Sequence, residues 1–309
     1  MPGGKKRKKD KRLKWAVEYA LAVIVYHLIR LAPFRVAMAA GGFLGTLAYR
    51  IDKRHRMVTE DNLRESLREK TPDEIARIAR SVYRNLGWSA IEFIWSDRFD
   101  RRWVEENIDF PGFDYLLRKV GEGRGALYLT AHCGSWELMA ISQAVMGNPF
   151  GVVVRPLDNP FLDRAVTRLR TRGGNTLINK NKGMREILRM LNNGKGVGIL
   201  LDQNVSAKEG VFVDFFGRPA CTNKGLALIA MKTKAPVIPA FIRRDKDGRR
   251  KIVMGKELPL VETGDKEADI LVNTQSYTKA IEDFVREYPD QWFWMHRRWK
   301  TRPEGGRNA

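Results

Sequence analysis

Ala126-Leu127-Tyr128-Leu129-Thr130-Ala131-His132-Cys133-Gly134-Ser135-Trp136-Glu137 is the stretch on which the reading of this chain turns. Its first six residues form a short, nearly continuous apolar run, the pattern of a strand buried on both faces. A helix is expected to begin near Ser135. That places His132 at the carboxyl end of a strand, where ligands gather in open parallel sheets. Glu137 follows five residues later. On one continuous helix that offset is about 500°, so the two side chains would diverge by about 140°. They meet only if His132 sits in the turn before the helix, which the strand-then-helix pattern allows. In such a pair the imidazole takes a proton from a hydroxyl while the carboxylate fixes its tautomer. Histidine suits the task because its pKa lies near neutrality. The bare spacing also fits a helix-capping histidine beside an unrelated surface glutamate. Cys133 as a thiol nucleophile is disfavoured, because adjacent residues leaving a strand point opposite ways.

Further apolar runs occupy 151–154, 197–201, 211–215, 237–242 and 251–254. Helical patterns lie between several of them, at 134–145, 159–171, 182–193 and 223–233, with a last helix at 266–288. Strands alternating with helices predict an α/β fold: a mostly parallel central sheet flanked by helices. Upstream, Thr71-Pro72-Asp73-Glu74 has the form of a capping box, and residues 13–96 read as helical. The expected organisation is a basic arm at 1–14, a membrane-anchoring helical hairpin at 15–50, a catalytic domain at 51–300 with a helical lead-in at 55–96, and a tail at 301–309.

The chain has 309 residues and a formal net charge of +20, with 43% hydrophobic residues, enough to build a core. Its two cysteines, Cys133 and Cys221, exclude a disulfide framework, and there is no CxxC pair. His27, His55, His132 and His296 are too scattered for a local metal cluster. GxSxG, the Walker GxxxxGK and the Rossmann GxGxxG are all absent, so nucleotide-driven and hydride chemistries lose support. No cofactor or metal is expected. The charge implies acidic partners.

Residues 5–14 read KKRKKDKRLK, and two apolar stretches follow, 15–29 and 36–49. A signal peptide lacks its small-residue cleavage site here. A spanning helix needs about 20 apolar residues, whereas the first stretch holds Glu18 and His27 and the second holds Gly41, Gly42 and Gly45. A hairpin dipping into one leaflet, held by basic residues on anionic headgroups, is the favoured expectation over a single span or a buried hairpin.

At His132 and Glu137 the chain resembles the bacterial lipid A biosynthesis acyltransferases, the late lauroyl and myristoyl transferases of the lysophospholipid acyltransferase-like group, whose signature is H-x4-D/E. Four more blocks carry the resemblance: Val154-Arg155-Pro156-Leu157-Asp158-Asn159-Pro160; Leu201-Asp202-Gln203 with Gly210 to Thr222; Pro236-Val237-Ile238-Pro239; and Pro289 to Arg298. Cys133 and Ser135 depart from the bulky residue and asparagine common there.

The resemblance implies transfer of a fatty acyl group from acyl carrier protein to a hydroxyl of an anionic glycolipid at the membrane surface. The expected location is the cytoplasmic side of the inner membrane, with no nucleic-acid partner. His132 becomes the general base and Glu137 its orienting partner. Backbone N–H groups at Gly134 and Ser135 are candidate oxyanion donors, Arg155 a phosphate or oxyanion contact, and Asp202 and Gln203 walls of the site. Lys224 and Arg218 are weaker contacts for acidic groups. Trp292, Phe293, Trp294 and Trp299, interleaved with cations, suit a headgroup interface, single-stranded nucleic acid or plain core packing. Rival functions are acyl transfer to a phosphoinositide mannoside, a lysophospholipid or an amino acid, and a non-enzymatic basic protein that binds membranes or RNA.

Overall fold

The computed structural model describes residues 3–123 and 125–303, with side chains from residue 11 onward. Most of the expected basic arm's side chains, and residues 304–309 of the tail, therefore lie outside the described residues.

Four helices lead in: α1 (Gly3–Leu31), α2 (Phe34–Ile51), α3 (Lys53–Ser66) and α4 (Pro72–Trp95). Pro33 separates the first two. The capping box at Thr71 and Glu74 forms as expected and starts α4. After α5 (Arg101–Asn107), β1 (Ile108–Asp109) and α6 (Phe113–Gly121), strands and helices alternate: β2 (Ala126–Thr130), α7 (Trp136–Val145), β3 (Gly151–Val154), α8 (Pro160–Arg170), β4 (Thr176–Asn179), α9 (Met184–Asn192) and β5 (Gly196–Leu200). The antiparallel pair β6 (Gly210–Phe215) and β7 (Arg218–Asn223) follows, then α10 (Gly225–Thr233), β8 (Val237–Arg244), β9 (Arg250–Met254) and α11 (Lys266–Glu287).

Seven strands form the central sheet in the order β1-β9-β8-β2-β5-β3-β4, parallel throughout except β8 against β9. The six apolar runs of the sequence are all strands. The run at 211–215, however, belongs to a separate hairpin with β7 rather than to the main sheet.

Alternation along β2 divides the core. Leu127 and Leu129 join the cluster containing Ile187, Leu191, Leu226, Ile229, Tyr277 and Ile281, from α9, α10 and α11. Ala126 and Tyr128 face the other way, with Leu116 of α6, Phe150 and Ala140 of α7. The connection leaving β2 thus runs over one face and that leaving β5 over the other. These two strands are neighbours, so a crevice opens at their carboxyl ends.

The stretch expected as a membrane hairpin forms two successive helices, α1 and α2. No helix among the described residues is long and apolar enough to cross a membrane. Instead α2 is a wall of the fold, packed along α4. Gly41, Gly42 and Gly45 make that packing possible: a Cβ at Gly41 would lie 2.9 Å from the Gly87 carbonyl oxygen, and one at Gly42 would meet the Trp88 ring. The glycines that weaken α2 as a lone helix let two backbones approach. α1 is pinned to the body by Asn159, whose Nδ2 donates to the Trp15 carbonyl (2.9 Å) and to Glu18 (3.0 Å), and by Tyr26, which donates to Asp97 (3.1 Å).

Candidate active site

Residues 131–135 leave β2 in a tight loop rather than running straight into α7. Gly134 has φ +52°, a left-handed conformation that disfavours any side chain. The loop is fastened from the C-terminal segment: the Gly134 N–H donates to the Gln291 carbonyl (2.7 Å), and the Phe293 N–H donates to the His132 carbonyl (3.0 Å). Beyond β5, the Leu201 N–H donates to the Thr130 carbonyl (3.1 Å), extending the β2–β5 ladder by one step. The next residue, Asp202, is thereby set beside His132.

His132 Nδ1 lies 2.9 Å from Oδ1 of Asp202, and the His132 backbone N–H donates to Oδ2 at 3.0 Å. The Trp292 indole N–H donates to Oδ2 as well, at 2.8 Å. Asp202 is buried. Burial alone would raise its pKa, but the His132 charge and these hydrogen bonds hold the carboxyl at about 2. A carboxylate at Asp202 requires the proton on Nδ1, which leaves Nε2 of His132 with its lone pair free. For His132 itself burial opposes protonation. The charge and hydrogen bond of Asp202 outweigh it and, with the charge of Glu137, raise its pKa above the ordinary imidazole value. The Gln203 carboxamide nitrogen lies 3.4 Å from Nε2.

His132 opens on a cleft of about 730 Å³. β5 and β3 pair only at Gly151 with Val197 and at Val152 with Gly198, and the cleft is lined by the residues beyond, where the strands are no longer paired. Its inner wall is apolar, with Tyr128, Met139, Phe150, Val152, Leu200 and Ile229; its rim carries Arg155, Arg170, Lys180 and His296. A long hydrocarbon can lie inside while charged groups stay at the mouth.

The sequence-derived residues are distributed unevenly around this cleft. His132, Glu137, Arg155 and Gln203 line it. Glu137 does not orient the histidine. Its carboxylate is held by Arg170 of α8, with contacts of 2.5, 2.9 and 3.1 Å, and the Nδ1 partner of His132 is Asp202. Arg155 is exposed and pairs loosely with Asp158 at 3.4 Å. Of the two backbone N–H groups expected as oxyanion donors, that of Gly134 is already engaged. The Gly134 N–H is taken by Gln291, and the Ser135 hydroxyl is buried against Glu92 and Ser89. Glu92 is itself fully buried between Arg244 and Arg250 and forms a charged anchor beneath the loop. Arg218 packs 3.5 Å from the Trp299 ring and donates to Ser66, a structural role.

Cys133 is buried and its thiol is pushed well above its ordinary pKa, first by burial and then by the Asp202 charge, so it is no nucleophile. Trp292 and Trp294 are buried core residues, not headgroup anchors. The aromatic and basic C-terminal motif pins the site. Beyond the Trp292 contact, Arg298 is fully buried and donates to the Cys221 carbonyl (2.8 Å), the Gln203 carbonyl (3.4 Å) and Thr222. His296, which sequence reasoning passed over, lines the cleft and accepts a hydrogen bond at Nε2 from the Asn204 N–H (2.8 Å).

Comparison with known proteins agrees with this architecture. Residues 5–301 match the family described as bacterial lipid A biosynthesis acyltransferase. The chain is 28% identical over 292 residues to a lipid A biosynthesis lauroyltransferase of Escherichia coli, covering 92% of each chain. It is 27% identical to that organism's lipid A biosynthesis palmitoleoyltransferase, covering 88% of each. A phosphatidylinositol mannoside acyltransferase of Mycolicibacterium smegmatis is 24% identical, with 74% of this chain and 73% of that one covered. With nearly its whole length matched, the chain belongs to the bacterial lipid A biosynthesis acyltransferase family.

Proposed function

We propose that this acyltransferase moves a fatty acyl group from acyl carrier protein to a hydroxyl of a lipid A precursor, with His132 as general base. The observation that carries the reading is the Nε2 lone pair of His132, oriented through Nδ1 by Asp202, at a cleft with an apolar inner wall. Nε2 removes the acceptor hydroxyl proton as its oxygen attacks the thioester carbonyl carbon. The tetrahedral intermediate collapses, the C–S bond breaks, and the departing thiolate takes the proton back from the imidazolium. No covalent acyl-enzyme is needed, and the buried, protonated Cys133 offers none.

The apolar wall suits the acyl chain. Arg155, Arg170 and Lys180 at the rim suit phosphate. Glu137 adds negative charge near His132, which favours the imidazolium, and fixes Arg170 at the mouth. Acyl carrier protein is acidic, and the +20 charge would steer it to this chain.

The acceptor lies in a bilayer, and α1 offers a way to reach it. Leu13, Val17, Leu21, Ile24, Leu28 and Leu31 are more than half exposed and recur at helical spacing along one side. Val36, Phe43, Leu44 and Ile51 extend the exposed apolar surface onto α2. This supports in-plane attachment to the cytoplasmic leaflet of the inner membrane.

The test is transfer in vitro, with acyl carrier protein loaded with fatty acid and a lipid A precursor in mixed micelles, read by mass spectrometry. The precursor should gain one acyl mass with the wild-type chain and none with His132→Ala. A phosphatidylinositol mannoside and a lysophospholipid run in parallel would reassign the acceptor if either gained the mass instead.

A further inference from the structure

With the Gly134 N–H given to the Gln291 carbonyl, the charge developing on the thioester oxygen calls for a donor elsewhere. Two histidines line the cleft, and their hydrogen bonds are mirror images. His132 is bound at Nδ1 by Asp202, and at Nε2 it meets the Gln203 carboxamide nitrogen at 3.4 Å. His296 is bound at Nε2, where it accepts from the Asn204 N–H, and Nδ1 has no partner among the described residues. An N–H aimed at Nε2 forbids a proton there, so neutral His296 carries its proton on Nδ1. Asn204 is itself held rigid: its Nδ2 donates to Thr301 Oγ1 (2.9 Å), and the Thr301 N–H returns a bond to Oδ1 (3.1 Å). The segment bearing His296 is tied to the catalytic loop through Phe293 and to α3 through Asn62, which donates to the Trp294 and His296 carbonyls.

We infer that His296 is a catalytic hydrogen-bond donor, its Nδ1–H aimed at the oxygen of the thioester carbonyl as that oxygen becomes an oxyanion. The assignment rests on the proposed acyl transfer. Its chemistry balances without a co-reactant. Nδ1 lends a hydrogen bond but no proton, the oxyanion re-forms the carbonyl, and the electron pair leaves with sulfur. Environment supports the division of labour. Burial lowers the pKa of His296 below the ordinary imidazole range, whereas that of His132 is raised. His296 therefore stays neutral while His132 accepts and releases its proton.

Two near-isosteric variants separate a donor from a prop. In His296→Gln the side-chain oxygen can still accept from the Asn204 N–H, but no donor remains at the Nδ1 position. In His296→Asn the amide nitrogen replaces the Nδ1 donor and the acceptor is lost. Loss of one oxyanion donor lowers kcat by about 10²–10³-fold. His296→Gln should show that loss with little change in KM or in thermal midpoint, and His296→Asn should turn over at least tenfold faster than His296→Gln. Equal loss in both variants, or the reverse order, would overturn the assignment. Nitrogen-15 NMR of the wild-type chain gives an answer independent of folding in the variants: a proton on Nε2 of neutral His296 would also overturn it. Absence of transfer by the wild-type chain would instead reject the acyl-transfer reading, and this inference with it.

Discussion

Trp292 and His132, 160 positions apart in sequence, hold opposite oxygens of one buried carboxylate: the indole N–H donates to Oδ2 of Asp202 at 2.8 Å, and Nδ1 of His132 binds Oδ1 at 2.9 Å. The C-terminal segment thus fixes the carboxylate and the carboxylate fixes the imidazole. Three elements, the loop after β2, the loop after β5 and residues 289–301, must all be in place before Nε2 faces the cleft.

The first consequence concerns Asp202→Asn. The amide can no longer enforce the Nδ1–H tautomer, a change worth about 10⁴ in kcat in a comparable histidine–carboxylate pair. The pH profile carries the sign. His132 accepts a proton only when neutral and its pKa is raised, so kcat/KM of the wild type should fall as pH drops through a value above about 6.5. Without the Asp202 charge, burial and the Arg170 charge oppose protonation of His132 against the Glu137 charge, and the limb of the residual activity should move to lower pH. An unmoved limb would detach Asp202 from the base.

Glu137 offers a contrasting test. Its bidentate partner is Arg170, not His132. A double-mutant cycle on Glu137→Gln and Arg170→Met should give a coupling of about 0.5–3 kcal/mol in transition-state energy. The downfield Nδ1 proton resonance of His132 should survive Glu137→Gln and vanish in Asp202→Asn. Its loss in Glu137→Gln would restore Glu137 as the orienting group.

Why spacing pointed to Glu137 is a matter of range. A motif six residues long can compare only neighbours on one stretch, and His132 with Glu137 is the pair within its reach. The alternating pattern put both His132 and Asp202 at carboxyl ends of strands. The missing fact was that β2 and β5 are adjacent, because the spatial order 2-5-3-4 is set by crossover connections and not by succession along the chain. The strands overlooked were β1, only two residues long, and two with weak apolar runs. β4 (Thr176–Asn179) is a sheet-edge strand, exposed at both end residues, and β7 (Arg218–Asn223) holds Pro219 and begins and ends on polar side chains. The buried tryptophans of 292–294 were ambiguous because an aromatic beside a cation reads alike in a core and at a headgroup. Arg298 resolves it by donating inward to backbone carbonyls.

Beneath the catalytic loop, Glu92 is fully buried and faces Arg244 and Arg250. Removing one partner from such a cluster strands the others, at a cost of about 3–5 kcal/mol. Glu92→Gln should therefore lower the urea midpoint with the m-value unchanged. Ser135 also bonds to Glu92, so loosening of the loop should accompany the loss, read as faster amide exchange at residues 132–136. A midpoint equal to wild type would mean that the two arginines find water or other acceptors.

On the proposed reading the acyl chain lies in the cleft, and Gly198, which lines it, offers a way to test this. A Cβ at this position would lie 2.8 Å from the Phe150 ring, closer than a real side chain tolerates. Phe150 in turn packs edge-on against Tyr128, with ring centroids 5.1 Å apart, so it cannot retreat freely toward the sheet. In Gly198→Val the added methyl groups must displace the ring into the cleft or project into it themselves. Each methylene excluded from an apolar pocket forfeits about 0.8 kcal/mol. Two lost positions would then weaken selection for the native chain roughly tenfold or more. With a panel of acyl carrier proteins loaded with chains of ten to sixteen carbons, the preferred substrate of Gly198→Val should be shorter than that of the wild type. Transfer should persist, because His132 and Asp202 are untouched. An unchanged length preference with reduced overall rate would place the acyl chain elsewhere than against β5.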